Sequence, residues 1–143
     1  MLSPDHKDLP GIELLRLGRS SIEHGLTHGE PLAVDCDALH PVLREPAATF
    51  TTLKIEGELR GCCGTLEASR PLANDVTHSA FQAAFRDSRF DPVRREELER
   101  VSLGVSVLSA LEPFPVSDEA DLLDRLMPGI DGLVIVEGLR RAT

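Results

Sequence analysis

The stretch that decides the fold runs from Thr49 to Leu66 and reads Thr-Phe-Thr-Thr-Leu-Lys-Ile-Glu-Gly-Glu-Leu-Arg-Gly-Cys-Cys-Gly-Thr-Leu. Its first part, Thr49 to Ile55, is rich in β-branched and apolar residues, which favour strands. Glu56 and Gly57 then form a short turn, and Glu58 to Leu66 runs back as a second strand. The stretch therefore predicts a β-hairpin.

Hydrophobic spacing on either side of this hairpin predicts both helices and strands. The predicted helices run from Gly11 to His28, from Pro71 onward, from Arg94 to Glu99 and from Ser117 or Asp118 to Leu126. The predicted strands lie at Val101 to Leu108 and Leu133 to Val136, and Glu30 to Pro46 is an extended or looped connection. Because hairpins occur without strict strand–helix–strand alternation, we expect an α+β fold with a largely antiparallel sheet and flanking helices.

The composition restricts the classes of function that this chain can serve. Its 143 residues are 41% hydrophobic and 27% charged, as in one globular domain of ordinary size. It has no Trp or Tyr and only five Phe, so few rings are present to stack on single-stranded nucleic acid. The net charge of −9 repels phosphate backbones. We therefore do not expect nucleic acid as the main partner.

The sequence gives no signal for a membrane or for secretion. No apolar stretch is long enough to cross a bilayer, and residues 1–8 are charged and helix-initiating in place of an apolar signal core. The three cysteines are an odd number, two of them adjacent, without the spacing of a disulfide framework. We expect no membrane association and a reducing compartment, the cytoplasm.

The second strand of the hairpin contains the residues best suited to chemistry. Side chains alternate on a regular strand, so Arg60 and Cys62 share one face while Leu59 and Cys63 share the other. Leu59 and Cys63 suit the core, because a free cysteine packs like a small hydrophobe. A guanidinium beside Cys62 favours the thiolate, the reactive form of cysteine. Gly61, next to that sulfur, leaves room for a ligand or another backbone.

Alternative interpretations of these residues remain open. Both cysteines also fit simple burial, which is usual for cysteines of cytosolic proteins. A β-bulge, which a glycine in a strand often marks, would break the alternation that places Arg60 beside Cys62. A disulfide between Cys62 and Cys63 is disfavoured because adjacent cysteines need a strained peptide geometry. His78, on the following helix, is the histidine that could serve Cys62 as a base, although a solvated helix face also explains it. No zinc spacing or nucleotide-binding motif occurs, so no metal is predicted and no cofactor is identified.

The hairpin resembles a known family. Thr52-Leu53-Lys54, the Gly57 turn and Leu59-Arg60-Gly61-Cys62-Cys63-Gly64-Thr65-Leu66 are similar to the signature of the AMMECR-type domain, whose core is the Leu-Arg-Gly-Cys (LRGC) motif. In bacteria and archaea this domain is called AmmeMemoRadiSam system protein A. Further landmarks occur in the expected order: Leu43-Arg44-Glu45, Pro71 to Val76, Asp87-Ser88-Arg89-Phe90, Val105 to Ser109, Leu111-Glu112-Pro113, Gly129 to Leu133 and Arg140-Arg141-Ala142-Thr143. We expect one AMMECR-type domain over residues 1–143.

The resemblance has structural implications. It implies two subdomains that form a cleft, and a further strand, loop and helix after the Arg-Arg-Ala-Thr segment. Because this sequence stops at Thr143, we expect an AMMECR-type domain without that tail. The family pattern has an isoleucine where this chain has Cys63, which agrees with a core position for Cys63. Cys62 is then the cysteine of the motif.

The resemblance also implies a functional context. Genes of this family tend to accompany a Memo-like dioxygenase-fold protein and a radical SAM protein, which suggests a shared pathway or complex. The motif hairpin is the usual candidate for a catalytic or binding site. This makes Cys62 the candidate catalytic residue, and the candidate binding residues are Arg60, Gly61, Gly64 and Thr65.

Two hypotheses of function follow from these observations. In the first, the chain is a binding or regulatory component that acts with the Memo-like and radical SAM proteins. In the second, it is an enzyme that uses Cys62, as a nucleophile or thiolate ligand, together with Arg60 on a small anionic substrate. The environment of Cys62 distinguishes them, because a nucleophile needs a base and an accessible sulfur.

Overall fold

The computed structural model describes residues 10–143 and combines helices with short antiparallel strands. The elements are α1 (Gly11–His28), β1 (Ala48–Ile55), β2 (Glu58–Gly64), α2 (Leu72–Phe85), β3 (Val101–Leu108), α3 (Glu119–Arg125), β4 (Ile135–Glu137) and β5 (Arg140–Ala142). The predicted α+β class is confirmed. Within residues 10–143, no helix has both the length and the apolar character needed to span a bilayer. The expectation that residues 1–8 do not form a signal peptide concerns residues outside the described part of the chain.

Two connections differ from their predicted form. The segment from Glu30 to Pro46 contains 3₁₀ turns at Cys36–Ala38 and Pro41–Arg44, where an extended or looped connection is predicted. The predicted helix from Arg94 to Glu99 is a single 3₁₀ turn at Arg95–Glu97. A 3₁₀ turn of three or four residues is too short to show a hydrophobic period, so the sequence does not distinguish it from a loop or from a short helix.

The predicted hairpin is confirmed and forms two thirds of the central sheet. β1 pairs antiparallel with β2 and with β3, so the strand order is β2-β1-β3 and β2 lies at an edge. Glu56 and Gly57 link β1 and β2 with φ angles of 53° and 86°. Two successive positive φ angles are typical of a type I′ turn, whose twist matches that of the adjoining strands.

The sheet has two unlike faces, which follow from the side-chain alternation and the strand register. We call the side that packs on the helices the inner face; it consists of Thr49, Thr51, Leu53, Gly61, Cys63, Val101, Leu103 and Val105. The opposite side is the outer face and consists of Phe50, Thr52, Lys54, Leu59, Cys62, Ser102, Gly104 and Ser106. α2 packs against β1 and β2, while α1 packs against α2 and the inner side of β3.

The core lies between the inner face and the two long helices. One cluster joins Ile22 of α1, Leu53 of β1 and the small residues Ala80, Ala83 and Ala84 of α2. Burial of each large aliphatic side chain stabilises the fold by about 1.5–3 kcal/mol. The helix predicted from Pro71 onward is therefore confirmed, and its apolar side packs α2 against the hairpin.

The chain divides into two compact units, one extending to Leu111 and the other covering Glu112–Thr143. In the second unit, Asp118 caps α3 by accepting a hydrogen bond from the Asp121 backbone N–H at 2.9 Å. β4 and β5 pair antiparallel, and β4 overlaps the strand predicted at Leu133 to Val136. No residue of Glu112–Thr143 is fully buried. The candidate site residues, Arg60 to Thr65, all lie in the first unit.

Candidate functional site

The LRGC motif occupies the edge strand β2, and its inward-facing positions are set by contact with α2. Gly61 faces inward, where a Cβ would collide with the carbonyl oxygen of Ala83 on α2. Cys63, two residues on, is half-buried and packs against the core cluster. The predicted core position of Cys63 is therefore confirmed. The glycine at position 61 lets the helix approach the strand closely.

A β-bulge interrupts the strand at Arg60. Leu53 of β1 pairs with Gly61, and the next residue, Lys54, pairs with Leu59, so Arg60 is an extra residue in β2. The predicted alternation is therefore wrong before Gly61, because a bulge moves the residues that precede it to the opposite face. Leu59 is 40% exposed on the outer face, where a core position was expected.

Arg60 is directed toward the segment that follows α2. Its Nε and Nη2 donate to the two carboxylate oxygens of Glu97 at 2.9 and 3.0 Å, and its Nη1 donates to the Asp91 carbonyl oxygen at 2.9 Å. This bidentate pair lowers the pKa of the Glu97 carboxyl to about 2, with the Arg60 hydrogen bonds as the main cause. The structure therefore pairs Arg60 with Glu97, whereas the regular alternation predicts a place beside Cys62.

Cys62 lies on the outer face and makes two local contacts. Its backbone N–H donates to Asp87 Oδ2 at 2.9 Å, and its sulfur lies 3.6 Å from the hydroxyl of Thr52 on the neighbouring strand. Arg89 donates to the same Asp87 carboxylate through Nε at 3.0 Å and Nη2 at 2.7 Å. These hydrogen bonds, with the Arg89 contribution first, hold the pKa of Asp87 well below its usual range. Arg89 is therefore the cation connected to Cys62, because both residues bond the Asp87 carboxylate.

The end of the motif joins a buried polar network that sequence analysis did not identify. Asp75 of α2 is 1% exposed, and its Oδ2 accepts hydrogen bonds from the backbone N–H and the hydroxyl of Thr49, both at 2.7 Å. Its Oδ1 lies 3.5 Å from the Thr65 hydroxyl and 3.5 Å from Arg70 Nε. Ser79, one turn later, bonds the hydroxyls of Thr49 and Thr51. The network fastens the start of β1 and the residue after β2 to α2.

One sequence signal could have found this network. Asp75 and Ser79 stand four residues apart among the apolar positions of α2, and Thr49 and Thr51 alternate on one face of β1. Polar residues at core-facing positions on two elements indicate a mutual hydrogen-bond network, because buried polar groups need partners.

The remaining motif residues have packing or bonding partners of their own. At Gly64, a Cβ would collide with the Thr49 carbonyl oxygen of the neighbouring strand. The Thr65 backbone N–H donates to that same carbonyl at 3.1 Å. Among the candidate binding residues, Gly61, Gly64 and Thr65 thus hold the hairpin in place.

The other thiol and imidazole candidates have separate surroundings. Burial raises the pKa of the Cys63 thiol, and burial together with Asp35 raises that of Cys36, whose sulfur donates to Asn74 Oδ1 at 2.7 Å. Burial and the nearby Arg70 lower the pKa of His78. No histidine among residues 10–143 hydrogen-bonds the Cys62 sulfur, so His78 does not serve Cys62 as a base in this structure.

Comparison with known protein families identifies the family of this chain. The AMMECR1 family model matches residues 15–143, which is nearly the whole sequence and contains the motif hairpin, α2 and the Asp87 loop. The chain belongs to the AMMECR1 family. The family resemblance drawn from the hairpin sequence is confirmed at this level.

Proteins from archaea are similar in sequence to this chain over most of its length. A protein of Methanothermobacter thermautotrophicus is 37% identical over 131 residues, which are 92% of this chain and 68% of that protein. A protein of Aeropyrum pernix is 39% identical over 112 residues, which are 76% of this chain and 47% of that protein. This chain thus spans about half to two thirds of the length of such relatives.

A solved structure shares the fold of this AMMECR1-family chain. The crystal structure of an uncharacterized protein, PH0010 from Pyrococcus horikoshii, matches with a TM-score of 0.83 and 32% sequence identity. The match covers 92% of this chain and 66% of that one. The α+β architecture described above is therefore shared with that solved structure.

Proposed function

We propose that this AMMECR1-family chain is a binding or regulatory component, an AmmeMemoRadiSam system protein A, that acts in the cytoplasm with a Memo-like protein and a radical SAM protein. The family resemblance supplies the identity of these partners, through the genes that accompany AMMECR-type genes. We further propose that the chain contacts the Memo-like protein through the outer face around Cys62.

One observation carries the choice of binding over catalysis: the motif side chains are already engaged within the chain. Arg60, the cation that an enzyme would use on an anionic substrate, is held bidentately by Glu97 and is only 15% exposed. The Cys62 sulfur bonds a threonine hydroxyl, which is a much weaker base than an imidazole. A rigid, internally bonded hairpin is better suited to present a surface than to exchange protons with a substrate.

The outer face also offers chemistry that suits a protein partner. Leu59 is 40% exposed and is paired with Lys54 across the strands, while Cys62 is paired with Thr52. An apolar side chain surrounded by polar ones is the usual composition of a small interface. The cytoplasmic location belongs to the same proposal and is supported by the free thiols of Cys36, Cys62 and Cys63.

The test is an affinity measurement with a purified Memo-like protein from a genome that encodes both. Leu59→Asp should weaken binding at least tenfold, because it places a charge in the contact. Leu15→Asp on α1 is the matched control, since Leu15 is 42% exposed, and it should leave the affinity unchanged. Equal loss in both variants, or binding by neither wild type nor variant, would overturn the proposal.

The enzyme hypothesis makes the opposite prediction for Cys62. In a reconstituted mixture with the Memo-like and radical SAM proteins, Cys62→Ala should reduce product formation only in proportion to its effect on binding. Complete loss of product with intact binding would assign Cys62 a catalytic role and would replace the proposal.

A further inference from the structure

We propose that Asp87 is a positioning residue of the motif: its carboxylate holds the backbone N–H of Cys62 and thereby sets the direction of the Cys62 thiol on the outer face. The inference deepens the proposed function and rests on it for the use of Cys62 in binding. The positioning itself is a property of the free chain.

The position of Cys62 in the sheet leaves its backbone in need of such a partner. β2 is an edge strand, and Cys62 is paired with Thr52 so that its N–H points away from β1. An unpaired N–H at a sheet edge is a site for unwanted strand pairing and for local fraying. Asp87 Oδ2 accepts this N–H at 2.9 Å, so the edge is closed at the motif cysteine.

The Asp87 carboxylate is itself held firmly. Arg89 binds it through its backbone N–H at 3.1 Å and through two side-chain nitrogens at 3.0 and 2.7 Å, and the Asp87 side chain is 7% exposed. A buried, fully ionised acceptor forms a stronger bond to an N–H than a neutral one. Arg89 thus holds the Asp87 carboxylate in position, and the carboxylate holds the backbone N–H of Cys62.

The bulge explains why this extra restraint matters. At Arg60 the ladder between β1 and β2 is interrupted, and a bulged edge strand has fewer cross-strand bonds to set its conformation. The segment after α2 compensates on both sides of Gly61, through Glu97 on Arg60 and through Asp87 on Cys62. Of these two contacts, the one from Asp87 acts directly on the backbone that carries the thiol.

The experiment compares Asp87→Ala with Asp87→Asn in the full chain without any partner. Asp87→Ala should speed hydrogen exchange of the Cys62 amide about tenfold relative to that of Leu53, the loss of one charge-assisted bond. It should also raise the alkylation rate of Cys62 relative to Cys63. Asp87→Asn retains an acceptor oxygen and should restore most of the protection, which a general loss of stability would not do.

Asp91→Asn is the matched control, because Asp91 lies in the same loop and is exposed. It should change neither rate. If Asp87→Ala does not fold, Asp87→Asn decides through the Cys62 amide proton, whose resonance should move upfield when the charged acceptor is lost. An unchanged resonance, or equal acceleration at Cys62 and Leu53 in the alanine variant, would overturn the proposal. Since all these signals come from the free chain, failure to bind the Memo-like protein would refute only the proposed function.

Discussion

The two faces of the central sheet differ in how their polar groups are used. On the inner face, Thr49 bonds Asp75 and Ser79 of α2 in a buried polar network. On the outer face, Lys54 and Leu59 are exposed, and the hydrogen bonds of Cys62 beyond the strand ladder are to Thr52 and Asp87. The comparison indicates that the hairpin is bonded to α2 through its inner face, whereas its outer face remains accessible to a partner. Substitutions on the inner face should therefore affect stability, and those on the outer face should affect recognition.

The largest effect is expected from Asp75→Ala. The substitution leaves the Thr49 N–H without its acceptor inside the fold, and it removes the carboxylate contacts to Thr49 and Thr65 at the open end of the hairpin. We expect a loss of about 3 kcal/mol in the free energy of unfolding, measured by urea denaturation. Asp124→Ala, at an exposed position of α3, should change it by less than about 0.5 kcal/mol. A small loss for Asp75→Ala would mean that the inner network does not fasten the hairpin.

The second prediction uses two glycines at opposite faces. Gly61→Ala forces a Cβ against the Ala83 carbonyl oxygen, so α2 and β2 must separate, at a cost of about 2 kcal/mol. Gly104→Ala places its Cβ on the outer face, where the nearest atom is the Thr52 oxygen at 4.0 Å. This change should stabilise the chain by up to about 0.5 kcal/mol, because alanine loses less backbone entropy than glycine on folding. Thermal unfolding of both variants measures the contrast, and equal shifts would remove the distinction between the faces.

The third prediction concerns Glu97, which joins the bulge to the segment after α2. Its pKa is lowered from 4.5 to about 2 in the folded chain, so its contribution is present above pH 4.5 and is lost as the pH falls toward 2. Because the pair is partly solvated, we expect Glu97→Gln to cost about 1 kcal/mol at pH 7 and almost nothing near pH 2. Denaturation curves of both proteins over this pH range give the difference. A difference that grows on acidification would contradict the assignment.

The hairpin, its turn and the helix after Pro71 could be predicted from the sequence because each depends on a local pattern. The β-branched run before Glu56-Gly57 and the apolar residues at helical spacing after Pro71, which are mostly alanines, suffice for that. The predicted core position of Cys63 is confirmed for the same reason, since it depends on alternation in the regular part of β2 beyond Gly61.

The bulge at Arg60 could not be predicted, and it changed the interpretation of the site. One extra residue turned Leu59 outward and directed Arg60 to Glu97, a residue 37 positions away in the sequence. The Asp87 contact to Cys62 likewise spans 25 positions. Such pairings depend on how the loop after α2 folds back on β2, and no periodicity in the sequence encodes them.

The smallest effect on stability is expected from Cys62→Ser, and its value lies in comparison with the adjacent residue. Cys62 lies on the outer face, so a hydroxyl in place of the thiol should change the free energy of unfolding by less than about 0.5 kcal/mol. Cys63 packs against the core, and Cys63→Ser should cost about 1 kcal/mol because it buries a more polar group there. Parallel urea denaturation of the two variants measures the difference. If both cost the same, the inner and outer faces are not distinct at the motif, and the binding surface assigned to the outer face would lose its structural basis.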